Sequence, residues 1–247
     1  MERAEWLKHI RSTVEGLYDK IAPQYWVNFG LYPDETHQEF IPKFLGLVEE
    51  GGAVLSAACG AGRYDGTLLE AGLSVVGIDQ SAGMLKQAKE HFPQARYEKM
   101  GLQEINFHEA FEGVICMDAM ENIGPEDWPV VLRSFQMALK PGGVLYYTVE
   151  LPEPGVVEAS YRRAKALGLP VVYGEVADEI DAAYEQAMAV ERPSGEQAAA
   201  AVYHFYPSPE QVRAWMEQAG LAILEEGPAT TTSTSWREEN ELKPVPS

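Results

Sequence analysis

Cysteine is nearly absent from this chain: two in 247 residues, Cys59 and Cys116. Both fall in or beside stretches that read as sheet strands, where small thiols are ordinary core residues. No bridge is implied, and a reducing, cytoplasmic setting is expected. Positive charge is scarce too, with 19 Lys and Arg against 38 Asp and Glu, a formal net charge of −19. No basic cluster offsets that field, which argues against nucleic-acid partners and anionic membrane surfaces. No apolar run approaches the ~18 residues a membrane span needs. The opening MERAEWLKHI is charged and lacks the apolar core of a secretory leader. The five histidines show no H-x-x-x-H spacing and the cysteines no C-x-x-C, so no metal site is expected. There is no G-x-S-x-G elbow and no Walker lysine.

What is present is concentrated in residues 54–83, VLSAACGAGRYDGTLLEAGLSVVGIDQSAG. An apolar strand from Val54 runs into the small residues Ala57-Ala58-Cys59-Gly60-Ala61-Gly62. A helical stretch, Tyr64 to Glu70, follows, then a second strand, Ser74 to Ile78, closed by Asp79. This is a βαβ unit with an acid at the tip of its second strand. Small residues allow close backbone approach to a ligand, and Gly60 and Gly62 can take positive φ. Asp79 offers two acceptor oxygens to a pair of ribose hydroxyls, which suits a nucleoside. A dinucleotide site would need a third glycine where Asp65 stands, and a carboxylate at that helix start would repel a diphosphate. A nucleoside without phosphate fits better.

Strands are expected at about 53–57, 74–78, 95–99, 111–117 and 143–150, with helices or loops of crossover length between them. Their alternation predicts an α/β fold with a doubly wound, mainly parallel sheet. Before it, Trp6, Ile10, Val14, Leu17, Tyr18 and Ile21 recur at helical spacing. An aromatic loop from Pro23 to Asp34 follows, then a helix carrying Phe40, Ile41, Phe44, Leu45 and Val48. Pro125 and the Lys140-Pro141-Gly142-Gly143 turn bracket a helix from Glu126 to Leu139. The segment from Pro152 to Pro207 breaks the rhythm, with helical pieces at 156–167 and 176–190, the run Ala198 to Ala201, and the cluster Tyr203-His204-Phe205-Tyr206. Ser208-Pro209-Glu210 starts another helix, and Leu221 to Leu224 reads as a sixth strand. The polar tail reads equally as a Thr-rich edge strand or as disorder. The implied division is an N-terminal helical arm and lid (1–50), a cofactor-binding core (51–151), a helical cap insertion after the fifth strand (152–207) and a C-terminal part (208–247). Monomer and homodimer both stay open.

Five ordered motifs resemble the class I S-adenosylmethionine-dependent methyltransferases, over roughly residues 14–226. Val54 to Gly62 is similar to V-L-D-L-G-C-G-x-G, and Val76-Gly77-Ile78-Asp79-Gln80-Ser81 with Met84-Leu85 to V-x-G-I-D-x-S-x-x-M-L. Phe111 to Glu121 resembles the fourth-strand motif, and Leu139 to Leu145 the lead into the fifth strand. Tyr18-Asp19-Lys20-Ile21-Ala22-Pro23-Gln24-Tyr25 is similar to the arm that covers the cofactor. The resemblance implies a Rossmann-like fold, S-adenosyl-L-methionine as cofactor and a small-molecule acceptor methylated at O or N. It implies a cofactor site built from Tyr18, Tyr25, Ala58, Gly60, Gly62, Asp79, Gln80, Met84, Met100, Gly101, Leu102 and Met117. The backbone N–H of Gly101 or Leu102 would meet the adenine. The sequence departs from the family where Ser56 replaces the acid ending the first strand, Ala58 a glycine, and Met100 the acid that meets the adenine amine.

Methyl transfer of this kind depends mainly on alignment, with a base where the acceptor must lose a proton. Candidate catalytic residues are Glu150 at the end of the fifth strand, Asp118 after the fourth (with Glu121 beside it) and His204 among its aromatics. The competing reading is a cofactor-binding but non-catalytic or regulatory member of the fold, motivated by Ser56, Ala58 and Met100. Nicotinamide-dependent oxidoreduction is opposed by Asp65.

Overall fold

The computed structural model describes residues 1–27, 35–152, 155–179 and 201–227. Helix α1 (Arg3–Tyr25) buries Trp6, Ile10, Val14, Ile21 and Ala22 along one stripe, as the spacing requires. It continues through Pro23, where a loop was expected. Pro23 removes one N–H in the last turn, but the buried neighbours Ile21 and Ala22 hold that turn against Met84 and Ala61. Phe29 and Tyr32 lie outside the described residues. Helix α2 (Glu35–Leu47) supplies Phe44 to the core.

The sheet is formed by β1 (Ala53–Ala57), β2 (Ser74–Asp79), β3 (Arg96–Lys99), β4 (Phe111–Cys116) and β5 (Leu139–Tyr147). The order is β3-β2-β1-β4-β5 and every pairing is parallel, as expected. Alternation sends Leu55, Ala57, Val114 and Cys116 to one face, under α1 and α5 (Trp128–Ala138). Val54, Ile115 and Met117 go to the other, under α2 and α3 (Asp65–Glu70). Helix α4 (Ala82–His91) connects β2 to β3 and packs on α1. The chain moves outward through β1, β2 and β3, then returns to the far side of β1 for β4. That reversal opens a crevice at the carboxyl ends of β1 and β4.

Several boundaries differ from expectation. Strand β5 starts at Leu139 and ends at Tyr147, because the Lys140-to-Gly143 segment forms a bulge inside the strand rather than a turn before it. Glu150 therefore lies beyond the strand. Helix α5 starts at Trp128 after Asp127, with Pro129 rather than Pro125 in its first turn. Residues 221–224 form no strand: Leu224 is 73% exposed and the segment leaves the end of the preceding helix without joining a ladder.

The insertion holds α6 (Val156–Ala166) and an antiparallel pair, β6 (Glu175–Glu179) with β7 (Ala201–Phe205). Residues 176–179 are thus strand, not helix. Tyr203 and Phe205 point inward and are fully buried, with His204 between them, a period of two that favours the ladder. Gly174 is required beside it, since a Cβ there would lie 2.7 Å from the Phe205 ring. Residues 180–200 and the tail from 228 lie outside the described residues. Helix α7 (Pro209–Gln218) begins as expected, Ser208 and Gln211 exchanging side-chain and backbone hydrogen bonds. Trp215 packs 5.5 Å from Trp128. Among the described residues, no helix is long and apolar enough to cross a membrane.

Candidate functional site

A cleft opens at the carboxyl ends of β1, β2 and β4. The turn after β1 builds its floor. Gly60 has φ +54° and nothing within 4 Å of where a Cβ would stand, so its missing side chain leaves open space in the cleft. Ala58 also has positive φ (+49°), a conformation that costs a non-glycine residue roughly 1–2 kcal/mol. The turn is held by Asp79, whose Oδ2 accepts from the Gly60 N–H at 2.9 Å and whose Oδ1 accepts from the Ser81 N–H at 2.8 Å. The Gln80 N–H also acts on this carboxylate, which leaves it about one further acceptor position. Burial pushes Asp79 up to about 6, against the lowering effect of those N–H groups.

Of the residues expected at the cofactor, Tyr18, Tyr25, Ala58, Gly60, Asp79, Gln80, Met84, Met100, Gly101, Leu102 and Met117 all line this cleft. Gly62 does not. Its φ is +83° and a Cβ would meet the Phe92 ring at 2.9 Å, so it serves the packing behind the turn. The Gly101 N–H already donates to Glu104 Oε2 at 2.8 Å, which leaves the Leu102 N–H as the donor at that edge. Asp19 of α1 accepts from the Ser81 hydroxyl at 2.6 Å and from the Gly83 N–H at 2.8 Å, fastening the arm to the start of α4.

Asp65 was read only as an obstacle to phosphate, and the structure gives it a larger role. It is fully buried, accepting from the Ser56 hydroxyl at 2.6 Å and the Tyr97 hydroxyl at 2.8 Å. The carboxylate missing at position 56 is supplied from the first turn of α3. Burial lifts it to about 6, opposed by the two hydroxyls. The signal was in the sequence: a serine in an acid's place, with an unassigned acid nine residues on.

The catalytic candidates separate. Asp118 lines the cleft at the tip of β4 with φ +50°. Burial would raise its carboxyl, but His37 (Nε2 at 3.5 Å), Arg63 (3.6 Å) and the Thr148 hydroxyl more than offset this and hold it below its usual range. These partners were not anticipated, nor was Arg11, which lines the cleft and pairs with Asp127 at 2.6 Å. Glu150 and His204 do not line the cleft. His204 Nδ1 lies 2.8 Å from the Tyr206 hydroxyl and 3.9 Å from Glu150, and burial drives it down to about 4. It stays neutral near pH 7.

Residues 54–143 match the family model described as a methyltransferase domain. Over that segment, from β1 into β5, the chain is similar to a methyltransferase domain. An uncharacterized methyltransferase of Synechocystis is 32% identical over 108 residues, 43% of this chain and 50% of that protein. A ubiquinone biosynthesis O-methyltransferase of Bradyrhizobium diazoefficiens is 29% identical over 164 residues, 63% and 60% of the two chains. The chain spans about half the length of the curated relatives it matches. Among solved structures, a magnesium protoporphyrin IX methyltransferase of Synechocystis with bound SAH superposes with a TM-score of 0.60 at 15% identity, over 90% of this chain and 94% of that one. A SAM-dependent methyltransferase of Methanosarcina mazei gives 0.55 at 17%, over 72% and 83%. At these identities the structural likeness speaks for the fold. The matched residues contribute the glycine turn, Asp79 and Asp118, while the arm that adds Tyr18 and Tyr25 lies outside them.

Proposed function

We propose that this protein is an S-adenosylmethionine-dependent methyltransferase acting on an O or N atom of a small molecule. The observation that carries the reading is Asp79, fixed by the Gly60 and Ser81 N–H groups inside a cleft at the sheet's reversal point. The residues fit the cofactor. Gly60 leaves room for close approach, Asp79 keeps an acceptor position for a ribose hydroxyl, and Met100 and Leu102 line the cleft beside the Leu102 N–H, which has no hydrogen-bond partner among the described residues. When bound, the cofactor supplies an electrophilic methyl on a positively charged sulfur.

The chain's own contribution is alignment and shielding. Tyr18 and Tyr25, 6.2 Å apart edge to face, roof the cleft from α1, and aromatic faces favour a nearby cation. Asp118, held below its usual range by His37 and Arg63, adds negative charge to the cleft lining. The net charge of −19 favours a small-molecule acceptor over nucleic acid. The test is calorimetry with S-adenosylmethionine and S-adenosylhomocysteine. Saturable binding of both is expected, and no binding at millimolar ligand would refute the reading. Binding without turnover over a broad acceptor screen would instead favour a non-catalytic member of the fold.

A further inference from the structure

After β3 the chain makes one short helical turn, Leu102–Glu104, and Gln103 in its middle lines the cleft. The Gln103 Nε2 donates to Asp127 Oδ2 at 3.2 Å. Arg11 of α1, which also lines the cleft, donates to the same oxygen at 2.6 Å. A carboxylate only accepts hydrogen bonds, so the Gln103 amide must present its nitrogen to Asp127 and turn its oxygen away. That oxygen sits 3.4 Å from where a Cβ on Gly101 would stand, in space that the glycine leaves empty. It has no hydrogen-bond partner among the described residues.

Beside it, the Leu102 N–H is unpaired among the described residues too. One acceptor and one donor, a residue apart, therefore stand together on the cleft wall. Glu104 does not compete for this place, because its carboxylate takes the Gly101 N–H and it does not line the cleft. Val14, Leu102 and Ile123 line the cleft and belong to one apolar cluster. Apolar walls with a polar pair at one edge suit a flat heteroaromatic base. Adenine presents the complement of that pair, an amino group that donates beside a ring nitrogen that accepts. A 6-oxo purine would instead set a carbonyl oxygen against the Gln103 oxygen, two acceptors facing each other.

We propose that Gln103 selects the base of the cofactor, its Oε1 accepting from the adenine amino group while the Leu102 N–H donates to the neighbouring ring nitrogen. On the methyl-transfer reading, on which this assignment rests, the acid that Met100 replaces is answered by a neutral oxygen three residues further on. Asp127 is the positioning residue. Without its carboxylate the amide is free to turn over and offer an NH₂ group to the adenine amino group, donor against donor. Arg11 holds Asp127 in place, so the arm that carries Tyr18 and Tyr25 also takes part in choosing the base.

The test is calorimetry on the intact chain with two neutral thioethers, S-adenosylhomocysteine and its analogue carrying unsubstituted purine. The analogue keeps the ring nitrogen and lacks only the amino group. The parent chain is expected to bind S-adenosylhomocysteine roughly fivefold to tenfold more tightly, the range for one hydrogen bond. Gln103→Met, of similar length without an acceptor, should weaken S-adenosylhomocysteine alone and bring the two affinities within about twofold. Asp127→Ala should reduce the preference part-way. A purely structural Gln103 would weaken both ligands alike and leave their ratio unchanged. Equal binding of the two ligands by the parent chain, or an undiminished preference in Gln103→Met, overturns the assignment. If Gln103→Met proves unfolded by circular dichroism, Asp127→Ala decides, and an unchanged ratio there also overturns it. Failure of S-adenosylhomocysteine to bind the parent chain is a separate result, which removes the methyltransferase reading itself and this inference with it.

Discussion

The Ser56 hydroxyl donates a 2.6 Å hydrogen bond to the buried carboxylate of Asp65. Tyr97 donates to the other oxygen of the same group, so one acid ties β1, α3 and β3 together beneath the glycine turn. Two hydroxyl partners explain why a charge can sit there without any basic residue against it.

Replacing Asp65 by Ala strands both hydroxyls. We expect a loss of roughly 2–4 kcal/mol in urea unfolding, each orphaned buried partner costing about 1–3 kcal/mol. Restoring the acid on the other side of the contact, with Ser56→Asp and Asp65→Ser combined, should recover much of it. Equal instability of the double and single variants would contradict the pairing.

The same residue sets a pH dependence. Its folded value, about 6, lies above the unfolded 3.8, so the folded state binds the proton more tightly. Stability from this group is therefore greatest below the unfolded value and declines as pH rises from about 4 to 6. Asp65→Asn cannot titrate, so the stability difference between variant and parent should change across that window, by up to ~1.4 kcal/mol per pH unit. A pH-independent difference would be inconsistent with a titrating Asp65.

Two neighbouring glycines should fail in different ways. Gly60→Ala places a methyl in open cleft at φ +54°. It should cost about 1 kcal/mol of stability but weaken S-adenosylmethionine roughly tenfold, or ~1.4 kcal/mol. Gly62→Ala drives a methyl into Phe92, so its larger effect should appear in the melting temperature, with affinity changed less. Reversal of this order would mean the cleft is assigned to the wrong side of the turn.

Asp79→Ala should weaken cofactor binding by roughly 1–3 kcal/mol, read by calorimetry. Because it also frees the Gly60 and Ser81 N–H groups, Asp79→Asn serves as the gentler comparison. Unchanged affinity in both variants would remove Asp79 from the ribose site.

Glu175 offers a prediction outside the cleft. Fully buried, it accepts from Arg3, Tyr203 and the Val172 N–H, joining α1 to the β6–β7 pair. Glu175→Ala leaves Arg3 partly uncompensated and should cost about 3–5 kcal/mol. Proteolysis should then cut first within the insertion.

The parallel core was legible because each strand is short, apolar and followed by punctuation that fixes its direction, as with Val54 to Gly62 and Ser74 to Asp79. The cleft residues followed from the same segments, since side chains at strand tips can only face the crevice. The rest depended on partners distant in sequence. Nothing local distinguishes residues 176–179 as strand until Tyr203 and Phe205 pair with them. The bulge in β5 arises from its register against Phe111 and Gly113, and Leu221 to Leu224 looked like a strand only because its composition is apolar. Asp65 was misread because its hydroxyl partners come from two different strands.

Asp19 grips both the Ser81 hydroxyl and the Gly83 amide, while the Ser81 amide is itself tied to Asp79. The arm and the Asp79 carboxylate are therefore linked through a single residue. A ligand that tightens Asp79 also anchors the helix carrying Tyr18 and Tyr25, so amide exchange along the second half of α1 should slow on cofactor binding even where no atom of the helix touches the ligand.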